Sequence, residues 1–389
     1  MAFSTRSGFD AHMMAIALRL AERGLGQTAP NPSVGSVIAD EATGTIIARG
    51  WTAPGGRPHA EVEALKRVGR QARGASLYVT LEPCSHHGAT PPCADAIIDA
   101  GIARVVCAIE DPDPRVAGRG LERLRQAGIP VERGLMASDA HWMAAGHILR
   151  VTERRPLVQA KLALASDGSA PRGAKGQPTW ATSEQSRALG HLMRARTDAV
   201  LVGRQTVVDD DPQLNCRLPG LEDSSPVRVV LARQLVGLQE SRLVKSVSNH
   251  PTWIFCGSEP DAFTVAMLER AGARVFRVAE IGGELWLPAV METLVAEGIT
   301  RLLLEGGPAT WRAFSRAGLI DEVVMFQAQT QSGRAPPDSA ILRDLGRFIA
   351  TDGLEICDQR TLANETMMVF RRPWRSLARW SKRSDKASR

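Results

Sequence analysis

Apolar positions recur along this chain with two alternating periods. Residues 10–23, built around Ala11-His-Met-Met-Ala-Ile-Ala-Leu-Arg-Leu20, carry apolar side chains at helical spacing and predict a helix. Two short strand-like runs, 36–39 and 45–50, flank Glu41-Ala-Thr-Gly44 and predict a hairpin. A helical stretch, His59-Ala-Glu-Val-Glu-Ala-Leu-Lys66, precedes the strand-like run Ala75-Ser-Leu-Tyr-Val-Thr-Leu81. Cys93-Ala-Asp-Ala-Ile-Ile-Asp-Ala100 then predicts a helix that Gly101 stops. A strand at 104–109 and a helix near 120–127 continue the series. Strand followed repeatedly by helix predicts an α/β layer structure. The segment 137–155, rich in Ala and Arg and closed by Pro156, reads as a linker. Further on, Glu305-Gly-Gly307 follows a buried strand and opens a helix.

At 389 residues the chain is long enough for two or more domains and a substantial core. No apolar run approaches a membrane span, and the first helix, with a charge inside it and no small-residue cleavage site after it, does not read as a signal peptide. The formal charge of +6 is concentrated at one end. Between Arg371 and Arg389 stand eight Lys or Arg against one Asp, a net of +7 that leaves −1 for the first 370 residues. Such a tail is expected to be solvated and poorly ordered; contact with nucleic acid through it is the alternative. Cys107 and Cys256 fall in apolar strand-like runs, and Cys216 and Cys357 default to core packing. No disulfide framework emerges, so a reducing, cytoplasmic compartment is expected.

The two remaining cysteines carry chemistry. His59-Ala60-Glu61 is followed by Pro83-Cys84 and then Cys93. One His and two Cys are a common zinc set, and three protein ligands leave a fourth tetrahedral position for water. Zinc lowers the pKa of such a water toward neutrality. Glu61, two residues after the His, is close enough to shuttle a proton without binding metal. A His-x-Glu element paired with a Pro-Cys-x-x-Cys element is the signature of zinc deaminases, although here eight residues, Ser85 to Pro92, separate the cysteines. The alternative is a closed structural site with His86 or His87 as fourth ligand. His59 and Cys93 both fall at predicted helix starts, where the dipole favours thiolate.

The stretches Pro30-Asn-Pro-Ser-Val-Gly35, Pro58-His-Ala-Glu-Val-Glu-Ala-Leu65 and Tyr78-Val-Thr-Leu-Glu-Pro-Cys-Ser-His-His-Gly-Ala-Thr-Pro-Pro-Cys93, with Asp111-Pro-Asp-Pro-Arg-Val-Ala-Gly-Arg-Gly120, resemble the deaminase domain of the bifunctional riboflavin-biosynthesis deaminase–reductases. The resemblance implies a cytidine-deaminase-like three-layer domain, a central sheet with helices on both sides, over 1–150. It implies hydrolytic removal of the pyrimidine 2-amino group from a diaminohydroxy-pyrimidinone carrying a ribosylamino 5-phosphate. His59, Cys84 and Cys93 are then expected to hold zinc, Glu61 to move the proton, and Asn31 and His86 to face substrate. A turn-capping role for Asn31 between two prolines is the alternative. Ala89 stands where the family usually has Arg or Lys, a phosphate-facing cation.

The second half resembles the family's reductase domain, which implies a dihydrofolate-reductase-like α/β domain over 156–372 and a disordered tail over 373–389. The matching stretches run from Lys161-Leu-Ala-Leu-Ala-Ser-Asp-Gly168 through Thr206-Val-Val-Asp-Asp-Asp-Pro-Gln-Leu-Asn-Cys-Arg217 to Leu302-Leu-Leu-Glu-Gly-Gly-Pro308. The resemblance implies NADPH as hydride donor, with Ala163, Trp180, Thr206, Asp210 and Gly307 on the cofactor side. Arg194, Leu214, Arg217 and Glu305 are expected to face substrate, the arginines as paired donors to phosphate. A surface ion pair for Arg194 and a simple turn at Gly306-Gly307 are the alternatives. The chain departs from the family at Ala165, Ala232-Arg233 and 327–333, so a deaminase with a degenerate or repurposed second domain is the alternative function. Its partner is expected to be a small pyrimidine ribosyl phosphate, with no membrane, and self-association is expected through the reductase domain.

Overall fold

The computed structural model describes residues 5–87, 91–169, 183–329 and 340–373. The chain divides into two units, Met1–Arg154 and Arg155–Arg389. No helix among the described residues is long and apolar enough to cross a membrane.

The first unit runs α1 (Arg6–Ala21), β1 (Gly35–Asp40), β2 (Thr45–Trp51), α2 (Ala60–Val68), β3 (Ser76–Val79), α3 (Cys93–Asp99), β4 (Arg104–Cys107), α4 (Arg119–Gln126), β5 (Val131–Arg133), α5 (Ala137–Met143) and α6 (Ala145–Glu153). Its five strands lie in the order β2-β1-β3-β4-β5, antiparallel as far as β3 and parallel beyond it. Adjacent strand residues face opposite sides of a sheet. A Cβ on Gly35 would fall 1.9 Å from the Ala17 carbonyl oxygen of α1. Next to it, Ser36 Oγ donates to the Ala60 carbonyl of α2 at 2.8 Å. The two helices therefore cover opposite faces. Gly50, paired with Ser36, also lies under α2, where a Cβ would come within 2.1 Å of the Ala60 oxygen. The start of α2 is thereby seated directly on the sheet.

Residues 137–155 are not an extended linker. Most of them form α5 and α6, and Ala140, Ala144, Ala145, Ile148 and Leu149 are buried. The Ala-rich composition that reads as featureless supplies helix propensity and small side chains for close packing.

The second unit continues with β6 (Leu157–Leu164), α7 (Glu184–Ala195), β7 (Ala199–Gly203), α8 (Arg204–Asp210), β8 (Val227–Leu231), α9 (Arg242–Lys245), β9 (Thr252–Cys256), α10 (Ala262–Arg270) and β10 (Arg274–Arg277). A small ribbon, β11 (Glu280–Ile281) and β12 (Glu284–Leu285), precedes α11 (Leu287–Ala296), β13 (Arg301–Leu304), α12 (Pro308–Arg316), β14 (Glu322–Ala328), α13 (Ala340–Asp352), β15 (Glu355–Leu362) and β16 (Glu365–Arg371). Nine strands lie in the order β10-β9-β8-β7-β13-β6-β14-β16-β15, all parallel except at the β14-β16-β15 end. Both faces are covered, as a parallel sheet requires: Ala199 and Leu201 of β7 enter one apolar cluster, while Val200 and Val202 enter another. At the start of β6, Arg155 donates to both Asp321 carboxylate oxygens at 2.7 and 2.9 Å, and the Val158 N–H adds a third bond at 2.9 Å. That buried cluster clamps β6 beside β14.

Candidate functional site

In the first unit, three element ends converge. His59 caps α2, Cys84 lies in the loop after β3, and Cys93 is the first residue of α3. His59 Nδ1 stands 3.6 Å from Cys84 Sγ and 3.3 Å from Cys93 Sγ. Among the described residues, these three form the one group of His, Cys and carboxylate ligand atoms lying within 4.8 Å of one another. Neither His86 nor His87 joins it, so the closed-shell alternative has no fourth protein ligand there.

The loop holding Cys84 is braced from below. Glu82 is buried, and its carboxylate accepts the N–H groups of Asp111, Gly118, Gly120 and Leu121 at 2.8 to 3.3 Å. A Cβ on Gly120 would meet the Pro83 oxygen at 1.9 Å, so only glycine lets α4 approach the loop this closely. From the other side, the Cys93 N–H donates to Cys84 Sγ at 3.3 Å.

The electrostatics suit a dication. A hydrogen bond from Cys93 and the neighbouring His59 hold the Cys84 thiol down to about 4, while the same pairing and burial push Cys93 upward. Two sulfurs and an imidazole this close cannot all carry their protons comfortably. A zinc ion held by these three residues would replace those protons, and the donor set is one that zinc prefers. Glu61, buried in the first turn of α2, has its carboxyl pushed up to about 7 by burial, against the pull of His59.

His59, Glu61 and Cys84 line a cleft of about 190 Å³ that also takes in Asn31, His86, Asp111, His147 and Arg150. Asn31 Nδ2 donates to the Gly56 carbonyl at 3.0 Å, which fixes the amide. His86 Nδ1 is buried with no protein partner among the described residues, while His87 is exposed. His147 Nε2 lies 3.0 Å from Asp111 Oδ1, and Arg115 donates to both oxygens of Asp113. His147 and Arg150 carry no signal in the sequence, because the Ala- and Arg-rich stretch around them reads as linker and not as α6. Asp111 and Asp113 stood within a matched stretch but had no assigned part.

In the second unit, Ala163, Asp210, Glu305 and Gly307 border one cleft of about 240 Å³, together with Lys161 and Gly306. Gly306 and Gly307 join β13 to α12. A Cβ on Gly306 would fall 2.7 Å from Thr310 Cβ, and one on Gly307 would lie 3.7 Å from Thr206 Oγ1. The bare loop and the first-turn N–H groups of α12 make a cradle of the kind that receives a phosphate. It fits a phosphorylated dinucleotide. Trp180 lies outside the described residues.

The two expected phosphate-binding arginines differ. Arg194 is largely buried and donates to both Glu305 oxygens, at 2.7 and 2.9 Å. Lys161 Nζ adds a contact at 3.6 Å. Burial opposes the Glu305 charge, but Arg194 and Lys161 prevail and hold it down to about 2. Arg217 is exposed and donates to Gln213 Oε1 and Asn215 Oδ1. Arg194 also donates to the Asn215 carbonyl, so the two cations meet at one residue. Leu214 is buried in the core with φ +55°. His191, pushed down to about 4 by burial and by the two arginines, accepts the Arg217 N–H as a neutral ring.

A zinc-dependent deaminase unit followed by an α/β unit with a nucleotide-type cleft defines a bifunctional enzyme class. Residues 8–109 match the cytidine and deoxycytidylate deaminase zinc-binding region, and residues 156–338 match the RibD C-terminal domain. The Escherichia coli riboflavin biosynthesis protein RibD is 40% identical over 330 residues, covering 82% of this chain and 87% of its own. The Aquifex aeolicus RibD is 36% identical over 365 residues, covering 93% and 98%. The Acinetobacter baumannii RibD structure superposes with a TM-score of 0.78 at 31% identity, over 94% of this chain and 99% of that one. The Thermotoga maritima diaminohydroxyphosphoribosylaminopyrimidine deaminase/5-amino-6-(5-phosphoribosylamino)uracil reductase gives 0.76 at 31% identity, over 95% and 100%.

This chain belongs to the RibD family of riboflavin-biosynthesis enzymes. It is a bifunctional deaminase and reductase with a cytidine-deaminase-like first domain, and its cofactors are zinc and NADPH. The deaminase-only alternative is not favoured.

Proposed function

We propose that residues 1–150 deaminate 2,5-diamino-6-ribosylamino-4(3H)-pyrimidinone 5′-phosphate and that residues 156–372 then reduce its ribosyl group to ribityl. The basic segment 373–389 is a dispensable tail. The observation that carries this reading is the convergence of His59, Cys84 and Cys93 beside a buried Glu61.

His59, Cys84 and Cys93 would hold the zinc, whose chemistry is to activate a water for attack. Glu61 takes a proton from that water as its oxygen bonds to the pyrimidine C2. The same carboxyl delivers that proton to a ring nitrogen, then takes the remaining proton from the new C2 hydroxyl and gives it to the departing amine, so the C–N bond breaks, C2 becomes a carbonyl and ammonia leaves. Burial suits Glu61 to both tasks, since a carboxyl that titrates near neutrality can accept and return a proton. Asn31, pinned through Nδ2 to Gly56, offers its carbonyl oxygen to the N–H edge of the ring. His86 brings an unpartnered Nδ1 to the same cleft.

In the reductase, NADPH supplies hydride to the ribose carbon. Ala163, Thr206, Asp210 and Gly307 would bind it, with the α12 N-terminus toward a phosphate; Trp180 belongs with them by resemblance. Arg194 and Arg217, gathered on Asn215, would hold the substrate phosphate, with Glu305 orienting Arg194 and the Leu214 main chain facing the substrate. Self-association would use the reductase unit. Among the described residues its surface carries the exposed large hydrophobics, Phe263, Ile281 and Trp286 among them. Six free cysteines support a reducing, cytoplasmic location.

The test is to supply the diaminopyrimidinone phosphate with and without NADPH. Ammonia release in both cases, and NADPH oxidation only after deamination, are expected. Ammonia without NADPH oxidation would reject the reductase assignment.

A further inference from the structure

The deaminase cleft holds a cation that no described residue of this chain balances. Arg150 lies one turn beyond His147 on α6 and borders the cleft with His59 and Glu61. Its Nε is buried without a hydrogen-bond partner, and no ion pair reaches its guanidinium among the described residues. Arg228 and Arg372 also leave Nε bare, but their guanidiniums are held through Nη. Those of Arg228 donate to five oxygens, and Nη2 of Arg372 reaches two carbonyls and Asp352. Arg150 has no such bonds.

The carboxylates of the cleft are already committed. Asp113 holds Arg115, Asp111 holds His147, and Glu82 accepts four main-chain N–H groups. Glu61 is reserved for proton transfer. The helix carrying Arg150 is also rigidly placed, with Ile148 and Leu149 buried and His147 tied to the loop after β4. Arg150 is half-buried and its Nε is withdrawn from water, and a cation so placed without a counter-charge is costly unless a ligand supplies one.

We propose that Arg150 binds the phosphate of the deaminase substrate, as a forked donor to two of its oxygens. This rests on the substrate assigned above, whose phosphomonoester is its one strongly anionic group. The pyrimidine then meets Glu61 and Asn31 while the phosphate meets α6, and Arg150 is a specificity residue for phosphorylated over unphosphorylated pyrimidine ribosides.

The experiment measures ammonia release from the phosphorylated substrate and from its dephosphorylated riboside, using the zinc-loaded full chain and its Arg150→Ala and Arg150→Lys variants. Arg150→Ala is expected to raise KM for the phosphorylated compound roughly 10–100-fold, with kcat within about 3-fold. KM for the riboside should stay unchanged, and Arg150→Lys should recover part of the loss. Arg115→Ala, whose guanidinium Asp113 already holds, should raise KM far less. Equal losses on both compounds, or a fall in kcat alone, would overturn the assignment. If the parent enzyme deaminates neither compound, the assigned substrate is wrong, and titration with inorganic phosphate decides about Arg150. One binding site fewer in Arg150→Ala sustains the proposal; identical isotherms reject it.

Discussion

The two clefts of this chain treat charge in opposite ways. In the deaminase cleft, Arg150 and the His86 Nδ1 are left without hydrogen-bond partners among the described residues, and three candidate metal donors crowd around shared protons. In the reductase cleft the groups neutralise one another before any ligand arrives, with Glu305 held between Arg194 and Lys161. The first is built to receive a dication and an anion. In the second, Glu305 is already paired, while the exposed Arg217 donates to two amide oxygens and, among the described residues, to no carboxylate. Burial alone therefore does not mark a ligand-binding charge; the absence of an internal partner does.

The largest effect should come from Glu61→Gln, which removes the proton carrier and leaves the metal donors in place. Deamination should fall roughly 10²–10⁴-fold. Zinc content and NADPH oxidation with pre-deaminated substrate should stay at the parent level. Ammonia release near the parent rate would assign Glu61 the wrong part.

Next, Arg194→Ala leaves Glu305 buried without its main partner and should cost about 3–5 kcal/mol of reductase stability, besides raising the substrate KM. Arg217→Ala, at an exposed site, should raise that KM while leaving Tm and NADPH affinity nearly unchanged. If both variants lose stability equally, the contrast between a braced and a free arginine is wrong.

The balance of the second cleft also predicts a pH dependence. Glu305 is held down to about 2, against about 4.3 for a free Glu. A depressed carboxyl contributes stability that is complete above the unfolded pKa and is lost as pH falls toward the folded one. The gap in unfolding free energy between the parent and Glu305→Gln should therefore be constant above about pH 5. It should narrow by roughly 3 kcal/mol between about pH 4.3 and 2. A gap that does not change with pH would deny the ion pair its part in stability.

The smallest effect is expected from deleting the chain after Pro373. That segment carries the net positive charge but no matched motif, so both activities and the Tm of each domain should hold. Loss of either activity would make the tail part of a site.

How far each site could be read from the sequence depends on where its residues sit. His59, Cys84 and Cys93 each occupy an element end that local pattern already marks: a helix start after Pro58, a loop after an apolar strand, a helix start after Pro92. Their chemistry is also restrictive, since few residue types bind zinc. Glycine spacing likewise announced the turn between β13 and α12. Helix α6 was hidden because the Ala- and Arg-rich composition of 137–155 and the Pro156 that closes it read as a linker, although the helix buries Ile148 and Leu149 on one face. With it went His147 and Arg150. Arg194 was legible as a cation, but its pairing with Glu305, 111 residues away, follows from β13 lying between β6 and β7. The sequence by itself determined the candidate metal donors, the candidate proton carrier and the α/β order of the first domain, because those depend on local period and residue chemistry. Only the tertiary structure decided which buried charges are spent on one another and which still await a ligand, because partnership across a sheet is set by strand order and not by distance along the chain.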